Sequence, residues 1–277
     1  MSLMTLAKPL SRPFVLTLWL SVGLLLVVAL WALFPGWFTG QSPLAGDPVQ
    51  ALQAPSAAHW FGTDHLGRDI YSRSVFGTAL TLQATLFSTA IALFVGTLMG
   101  VLAGYAGGRI DSFFMRIIDI LMAVPNLLLA MAIITVLGFG TLHIAIAVGL
   151  SSVATFARLS RGEVLRSRTN LFVEAARVGG VGHLTLIRRH ILPHALAPVL
   201  SLAALELGFA LLSVSALSFL GFGAPPPQPE WGLLIAEGRN YLAAAWWYTT
   251  LPGLTIVLTV LATNRLAGFI QDVAEER

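Results

Sequence analysis

Few residues in this chain are of the types that carry out chemistry. Charged residues make up 10% of the 277 residues, and there are six histidines and no cysteine. The lack of cysteine excludes disulfides and thiolate metal sites. His190 and His194 are four residues apart, a spacing that can place two imidazoles on one helix face. Pro193 lies between them and no third ligand is evident, so the sequence does not favour a metal site.

The sequence also lacks the usual residues for hydrolysis of a nucleotide or a peptide bond. A P-loop needs a lysine after its glycine-rich turn, but the single lysine, Lys8, lies between an alanine and a proline. The patterns H-E-x-x-H and G-x-S-x-G do not occur either. We therefore expect a chain that is not an enzyme and has no cofactor of its own. If ATP and magnesium drive it, partner chains bind them.

Glu206 is unusual because it lies within a long apolar stretch. An ionisable group inside a membrane is costly and is a functional candidate by default. The alternative is an acid that is hydrogen-bonded at a helix interface, and the sequence leaves both interpretations open. In either case, we expect the carboxyl group to face a helix interface or a polar pathway between the helices rather than lipid.

The elements that carry these residues are predicted to be membrane-spanning helices. Hydrophobic residues make up 56% of the chain and the mean hydropathy is +0.82, whereas a soluble domain carries about 25% charged residues. The apolar runs are long enough for helices rather than barrel strands. We predict an all-α polytopic protein with one transmembrane domain and six spans, at residues 14–34, 78–104, 111–137, 142–157, 195–220 and 248–266.

Two local features modify this prediction. Pro125 is expected to kink the third span because proline removes a backbone hydrogen bond. Gly96, Gly100 and Gly104 repeat every four residues on the second span, which lets a neighbouring helix approach closely. Packing within the chain is the simplest role for this glycine stripe.

The basic residues predict the orientation in the membrane. If the spans alternate, thirteen of the sixteen basic residues lie on the side of the N-terminus, and only Arg68, Arg73 and Arg239 lie on the other. By the positive-inside rule both termini and the loop at 158–193 are cytoplasmic, and residues 35–77 form an outer loop. We expect a multi-pass membrane protein whose basic charge sets topology rather than binding nucleic acid.

The loop at 158–193 carries a recognisable pattern. A short helix, a glycine turn and a second helix would form a rigid projection beyond the membrane. Residues 174–180 read E-A-A-R-V-G-G, and residues 190–193 read H-I-L-P. This pattern resembles the EAA loop of ABC importer permeases of the bacterial plasma (inner) membrane, which docks on the ATPase subunit and couples ATP hydrolysis to the membrane helices. The resemblance implies an ATPase-coupling role for Glu174, Ala175, Ala176, Gly180, Arg188, His190 and Pro193.

Two further segments resemble one branch of that family. Residues 61–69 read F-G-T-D-H-L-G-R-D, and residues 217–232 contain L-S-F-L-G-F-G followed by P-E-W-G. Both are similar to signatures of dipeptide/oligopeptide/nickel permeases of the C type, and the likeness extends over residues 59–272. It implies a type I ABC importer permease fold, a heterodimer with a homologous permease, two ATPase subunits and an extracytoplasmic substrate-binding protein.

The charged residues of the outer loop have two alternative roles. Asp64, Arg68, Asp69 and Arg73 either pair with one another and fix the loop, or contact the binding protein. The resemblance adds Glu230 and Trp231 as further candidates for that contact.

The sequence departs from the family pattern at two places. Val214 stands where the family usually has an acid, and residues 264–272 lack the first acid and the arginine of the C-terminal motif. The resemblance implies a permease subunit that imports a peptide, nickel or a metal chelate, with the substrate itself unspecified. A secondary transporter is the alternative, but it would need more ionisable residues in its spans, and inverted repeats.

Overall fold

The computed structural model describes residues 12–275, so Lys8 and Arg277, two of the basic residues that predict the orientation, lie outside it. Within that range the chain is helical, and the only β-type pairing is an isolated bridge between Thr63 and Asp69. The helices are α1 (Arg12–Leu33), α2 (Ile70–Ala106), α3 (Gly108–Met122), α4 (Asn126–Leu137), α5 (Thr141–Arg168), α6 (Leu171–Val178), α7 (His183–Leu186), α8 (Leu192–Phe219), α9 (Trp231–Gly238) and α10 (Trp247–Glu275).

Five helical stretches in this part of the chain are long and apolar enough to cross a membrane, and the bent pair α3–α4 makes a sixth if it counts as one span. The third predicted span is therefore broken rather than kinked. The axes of α3 and α4 differ by 96°. The break lies at residues 123–125, where Pro125 has an extended backbone and disfavours a helical residue before it.

The other helices are longer than predicted. The second begins at Ile70 rather than 78, because Asp69 caps it by accepting a hydrogen bond from Ser72 N at 2.7 Å. The outer loop therefore ends at residue 69, not 77. The fourth continues to Arg168, eleven residues past the predicted end at 157. Charged residues were expected to end these spans, but a helix can continue beyond the membrane, and the side chains can pair.

The fifth and sixth spans are also extended. α7, a π-helical turn at Ile187–Ile191 and α8 form one continuous helix from His183 to Phe219. Pro193 therefore lies inside this continuous helix, directly after the π-helical turn, rather than at the end of a loop. The last helix, α10, runs to Glu275, well past the predicted end at 266.

α2 and α5 pack closely along their length. A β-carbon on Gly96 or Gly100 would lie 2.6 or 2.4 Å from a carbonyl oxygen of α5, and one on Gly104 would lie 3.0 Å away. These distances leave no room for a side chain at the first two positions. The glycine stripe is thus confirmed as a packing surface within the chain.

The two ends of the bundle differ in character. At one end α5 emerges with Arg166 and Arg168, followed by α6 and α7; we call this the arginine-rich end. At the other, which we call the loop end, residues 34–69 fold against the segment that holds α9. α1 packs on α2 and α10, and α8 packs between α5 and α10.

Candidate functional site

A compact projection at the arginine-rich end contains most of the predicted coupling residues. We call residues 169–186 the knob; it consists of α6, a glycine turn and α7. The turn closes as a helix C-terminus: Val181 N donates to Ala176 O at 3.1 Å, and Gly180 has φ = +80°. This left-handed conformation is open to glycine at no steric cost, which explains why the pattern has a glycine there.

Buried apolar contacts fix the knob to the bundle. Val173, Leu186 and Ile191 are fully buried and pack with Val164 of α5 and Val101 of α2. Because the knob shares this close-packed core with α2, α5 and the π-helical turn, we expect it to move as a unit with those helices.

Two polar contacts add to that attachment. Tyr105 Oη lies 2.5 Å from His183 Nδ1, and Arg168 Nη1 donates to Gly104 O at 2.9 Å. The first joins α2 to α7 of the knob, and the second joins the end of α5 to α2 at the base of the knob.

The outer face of the knob is apolar, and no other part of residues 12–275 covers it. Leu171, Val178 and Leu184 are 83%, 84% and 67% exposed. Glu174 and Ala175 are exposed beside them, and Ala176 is half-buried. An exposed apolar patch of this kind marks an interaction surface. The sequence interpretation singled out the E-A-A string and missed the three apolar residues, although they flank it.

The remaining predicted coupling residues lie behind this face. Arg188, Pro193 and the half-buried His190 belong to the continuous helix rather than to a separate loop. His194 packs against the ring of Phe172, with ring centroids 5.1 Å apart. No group of three His, Asp or Glu side chains in residues 12–275 is placed to hold a metal ion.

Two arginines that were expected to act only as topology charges form ion pairs with α3. Arg161 contacts Asp111 with two hydrogen bonds of 2.5 and 2.7 Å, and Arg158 Nη2 lies 2.6 Å from Asp119 Oδ1. The first pair is the better shielded, since its side chains are 28% and 20% exposed. α3 is therefore held to α5 by charge at two points.

Glu206 lies at a helix interface. Its side chain is buried between α5 and α8, and Ser152 Oγ donates to Glu206 Oε1 at 2.6 Å. The expectation that this acid avoids lipid agrees with its position. The contact fits the interpretation of a hydrogen-bonded acid in the bundle.

The charged residues of the outer loop form a buried cluster at the loop end. Arg68 Nε lies 2.5 Å from Asp64 Oδ2, and Arg73 Nη2 lies 2.8 Å from Glu237 Oε2. Arg73 Nε is 3.7 Å from the same Asp64 oxygen, and the Tyr248 hydroxyl donates to Glu237 at 3.3 Å. The cluster joins the outer loop to α9 and α10, so it fixes the loop on the bundle.

Burial argues against direct contact of these residues with a binding protein. Asp64, Arg68 and Asp69 are at most 5% exposed. The alternative, pairing within the loop, holds for Asp64 and Arg68 together with Arg73. Asp69 instead pairs with His59, whose Nδ1 lies 2.9 Å from Asp69 Oδ1.

Glu230 and Trp231 are likewise buried rather than available to a partner. Glu230 caps α9 by accepting hydrogen bonds from Gly232 N at 3.1 Å and Leu233 N at 3.0 Å. Trp231 Nε1 donates to Ser74 O at 2.9 Å. Burial raises the pKa of the Glu230 carboxyl above its usual range, and the backbone donors offset part of that rise. Both residues therefore position α9 against α2.

The sequence profile of one protein family matches residues 96–277, a range that includes the knob, Glu206 and α9. The family is described as "binding-protein-dependent transport system inner membrane component". Two solved structures share the fold: inward-facing conformations of the MetNI methionine ABC transporter, and an amino acid ABC transporter crystallised with histidines. Their TM-scores are 0.56 and 0.57 at 19% and 17% identity, and each covers 72% of this chain and over nine tenths of its own.

Curated relatives cover nearly the whole chain. A probable D,D-dipeptide transport system permease of Escherichia coli is 38% identical over 93% of this chain and 86% of its own. A dipeptide permease of Alkalihalophilus pseudofirmus is 40% identical, and a glutathione permease of Pectobacterium atrosepticum is 38% identical, each over at least 92% of this chain and 85% of its own. Nothing in these comparisons supports a secondary transporter. The chain belongs to the binding-protein-dependent family of inner membrane transport components, as a multi-pass permease subunit of an ABC importer in which separate subunits hydrolyse ATP.

Proposed function

We propose that the chain imports small peptides and that its knob is the surface through which an ATPase subunit drives it. The observation that carries the proposal is the knob itself. It has a buried core, an exposed apolar face, and a direct helical connection through residues 187–191 to α8. A partner can shift the membrane helices between two conformations only if it binds one conformation more tightly than the other. The knob is a surface through which an ATPase subunit can make such a contact.

The energy for transport comes from outside the chain. ATP and magnesium are bound by the partner ATPase subunits, since the sequence has no P-loop lysine. The conformational change must then arrive mechanically, through an element with two positions. Among the described residues outside the apolar spans, the knob combines a rigid core with an uncovered apolar surface.

The proposed orientation and assembly follow from the charge distribution and the family. The knob and both termini lie in the cytoplasm, because Arg166, Arg168, Arg177, Arg188 and Arg189 are at or near the knob. The loop end faces the extracytoplasmic binding protein. The chain pairs with a homologous permease, and each permease docks on one of two ATPase subunits.

A peptide is the substrate class that the relatives support. Their names refer to D,D-dipeptides, dipeptides and glutathione, which all contain peptide-type amide bonds. The nickel and metal-chelate alternatives implied by the resemblance have no comparable support. Val214, which replaces a usual acid, is fully buried near the loop end of α8, so the difference affects packing rather than an exposed surface.

The test replaces residues of the knob and measures assembly and transport together. Gly180→Val places a β-branched residue at φ = +80°, which should strain the turn. Leu184→Glu puts a charge on the exposed apolar face without disturbing the buried core. Gly182→Val is the matched control, because a β-carbon there meets nothing within 4 Å and its φ is −64°.

We expect both knob variants to insert into the membrane but to retain little ATPase on purification through a tag on this chain. Uptake of a labelled dipeptide should fall by about tenfold or more, which corresponds to a loss of roughly 1.4 kcal/mol in the coupling contact. The Gly182→Val protein should behave as wild type. Normal ATPase retention in both knob variants would show that the docking surface lies elsewhere. If the wild-type chain retained the ATPase but did not take up the dipeptide, the substrate class would be rejected and the docking role of the knob would stand.

A further inference from the structure

We propose that α3 lies in the membrane–water interface and that Arg116, assisted by Arg109, binds the phosphate of an anionic phospholipid. The site is separate from the knob and from the buried charged cluster at the loop end. Lipid binding is a role in addition to transport. The proposal uses the proposed orientation only to assign the site to the cytoplasmic leaflet.

The direction of α3 is the first observation. Its axis differs by 96° from that of α4, so the two helices cannot both run along the membrane normal. Asp111 and Asp119 are eight residues apart, or about 12 Å along α3. Their partners Arg161 and Arg158 are only three residues apart, or about 4.5 Å along α5. That mismatch is expected if α3 crosses α5, and not if the two helices run side by side.

The distribution of side chains on α3 is the second observation. Its exposed apolar residues include Ile110, Phe113 and Ile120, at 51%, 63% and 64% exposed. Arg109, Phe113, Arg116 and Ile120 recur every three or four residues, so they share one exposed face of this fifteen-residue helix. A helix whose exposed face combines apolar and basic side chains fits the interface plane, with the rings and aliphatic groups among the acyl chains and the guanidinium groups reaching the headgroups.

The third observation is the charge that α3 leaves uncompensated. Both acids of the helix are occupied by arginines of α5. Arg109 and Arg116 are exposed and have no acidic partner among residues 12–275. Because the acids are already paired, the exposed surface of α3 is cationic. Its position at the arginine-rich end places these guanidinium groups where lipid phosphates lie.

A cavity beside Arg116 could hold the lipid headgroup. It has a volume of about 440 Å³ and is lined by Ser112, Met115, Arg116, Asp119, Ile120 and Ala123. Arginine and a serine hydroxyl can donate to phosphate oxygens, and the apolar walls fit the start of an acyl chain. By contrast, the cavity between α2 and α5 at residues 80–87 and 141–145 is lined by no charged residue. Two further cavities at the arginine-rich end are lined by an arginine, but Arg158 pairs with Asp119 and Arg166 pairs with Glu163. The guanidinium group of Arg116, unpaired among residues 12–275, therefore favours the α3 cavity for an anionic lipid.

The experiment measures lipid contact in the assembled transporter. The transporter is purified from native membranes through a tag on this chain and reconstituted in phosphatidylcholine vesicles. A Phe113→Cys variant carries a fluorophore, attached to the purified chain before the transporter is reassembled, and this chain has no other cysteine. Spin-labelled phosphatidylglycerol and phosphatidylcholine then serve as quenchers, with the spin label near either the headgroup or the chain end. Phe94→Cys, 72% exposed on α2, is the control for a residue that faces the hydrocarbon.

We expect the probe at 113 to be quenched best by a label near the headgroup, and more by phosphatidylglycerol than by phosphatidylcholine. Arg116→Gln should reduce that lipid preference roughly fivefold, the effect of about 1 kcal/mol per basic residue near an anionic surface. Arg239→Gln, an exposed arginine at the loop end, should leave it unchanged. Excess inorganic phosphate should not alter the quenching.

Three results would overturn the proposal. Equal quenching by both lipids would remove headgroup recognition. Protection from every lipid would show that a partner subunit covers α3. Loss of the preference on addition of inorganic phosphate would identify an anion site rather than a lipid site.

Discussion

Arg73 is one of the largest side chains that the fold buries completely, and it is charged. Its guanidinium group lies between Asp64 and Glu237, and the arrangement holds only while both signs of charge are present. Removing one partner of a buried pair is far more destabilising than replacing the pair, because it leaves an uncompensated charge.

We therefore predict that Arg73→Gln lowers the free energy of unfolding by about 3–5 kcal/mol. Arg239→Gln changes an exposed arginine on the same end of the molecule and should stay within about 0.5 kcal/mol of wild type. Unfolding of the purified chain in detergent is the measurement. The double variant Arg73→Gln with Glu237→Gln should regain part of the loss. Equal stability of the two single variants would show that the cluster is not structural.

The sequence predicted part of this cluster and missed the rest for a physical reason. Asp64 and Arg68 are one helical turn apart in the sequence, and such local pairs can be anticipated. Glu237 lies 164 residues from Arg73, and nothing local links them. The same holds for Ser152 and Glu206, 54 residues apart. Pairs at such separations become neighbours only through helix packing.

At the scale of the helices, the contact between α2 and α5 is the most demanding. We predict that Gly100→Ala lowers the free energy of unfolding by about 1–3 kcal/mol, because the new methyl group would lie 2.4 Å from Ala157 O and must push the backbones apart. Gly104→Ala should cost less, since its nearest atom is 3.0 Å away. Gly23→Ala, with nothing within 4 Å, is the control and should be neutral or stabilising.

The measurement is again unfolding of the purified chain. The prediction is that stability rises in the order Gly100→Ala, Gly104→Ala, Gly23→Ala. If Gly100→Ala and Gly23→Ala were equally stable, the close approach of α2 and α5 would have no energetic importance.

The ends of the helices could not be predicted from hydropathy. Span four was predicted to end at 157 because Arg158 follows it, yet α5 continues to Arg168. Arg158 and Arg161 remain helical because acids on α3 pair with them, and hydropathy does not contain that information. The existence of the helices was predictable from the apolar runs, whereas their ends depend on partners that are distant in sequence.

For the molecule as a whole, the orientation can be tested with single cysteines. Ser167 would be a poor position, because it is only 3% exposed. We predict instead that Thr169→Cys, exposed at the end of α5, resists an impermeant thiol reagent applied to spheroplasts and reacts only after permeabilisation. Val49→Cys, 88% exposed in the outer loop, should react at once. The reverse pattern would invert the proposed topology.

The continuous helix from His183 to Phe219 can act as a lever with unequal leverage at its two ends. Its 37 residues extend about 55 Å at 1.5 Å per residue. A tilt of only about 5° at the knob would displace the far end by roughly 5 Å over that length if the helix stayed straight. The π-helical turn at Ile187–Ile191 lies between the knob and α8, so the tilt reaches the far end of the helix only while that turn stays rigid. A small rotation of the knob can thus become a displacement as wide as a side chain at the loop end.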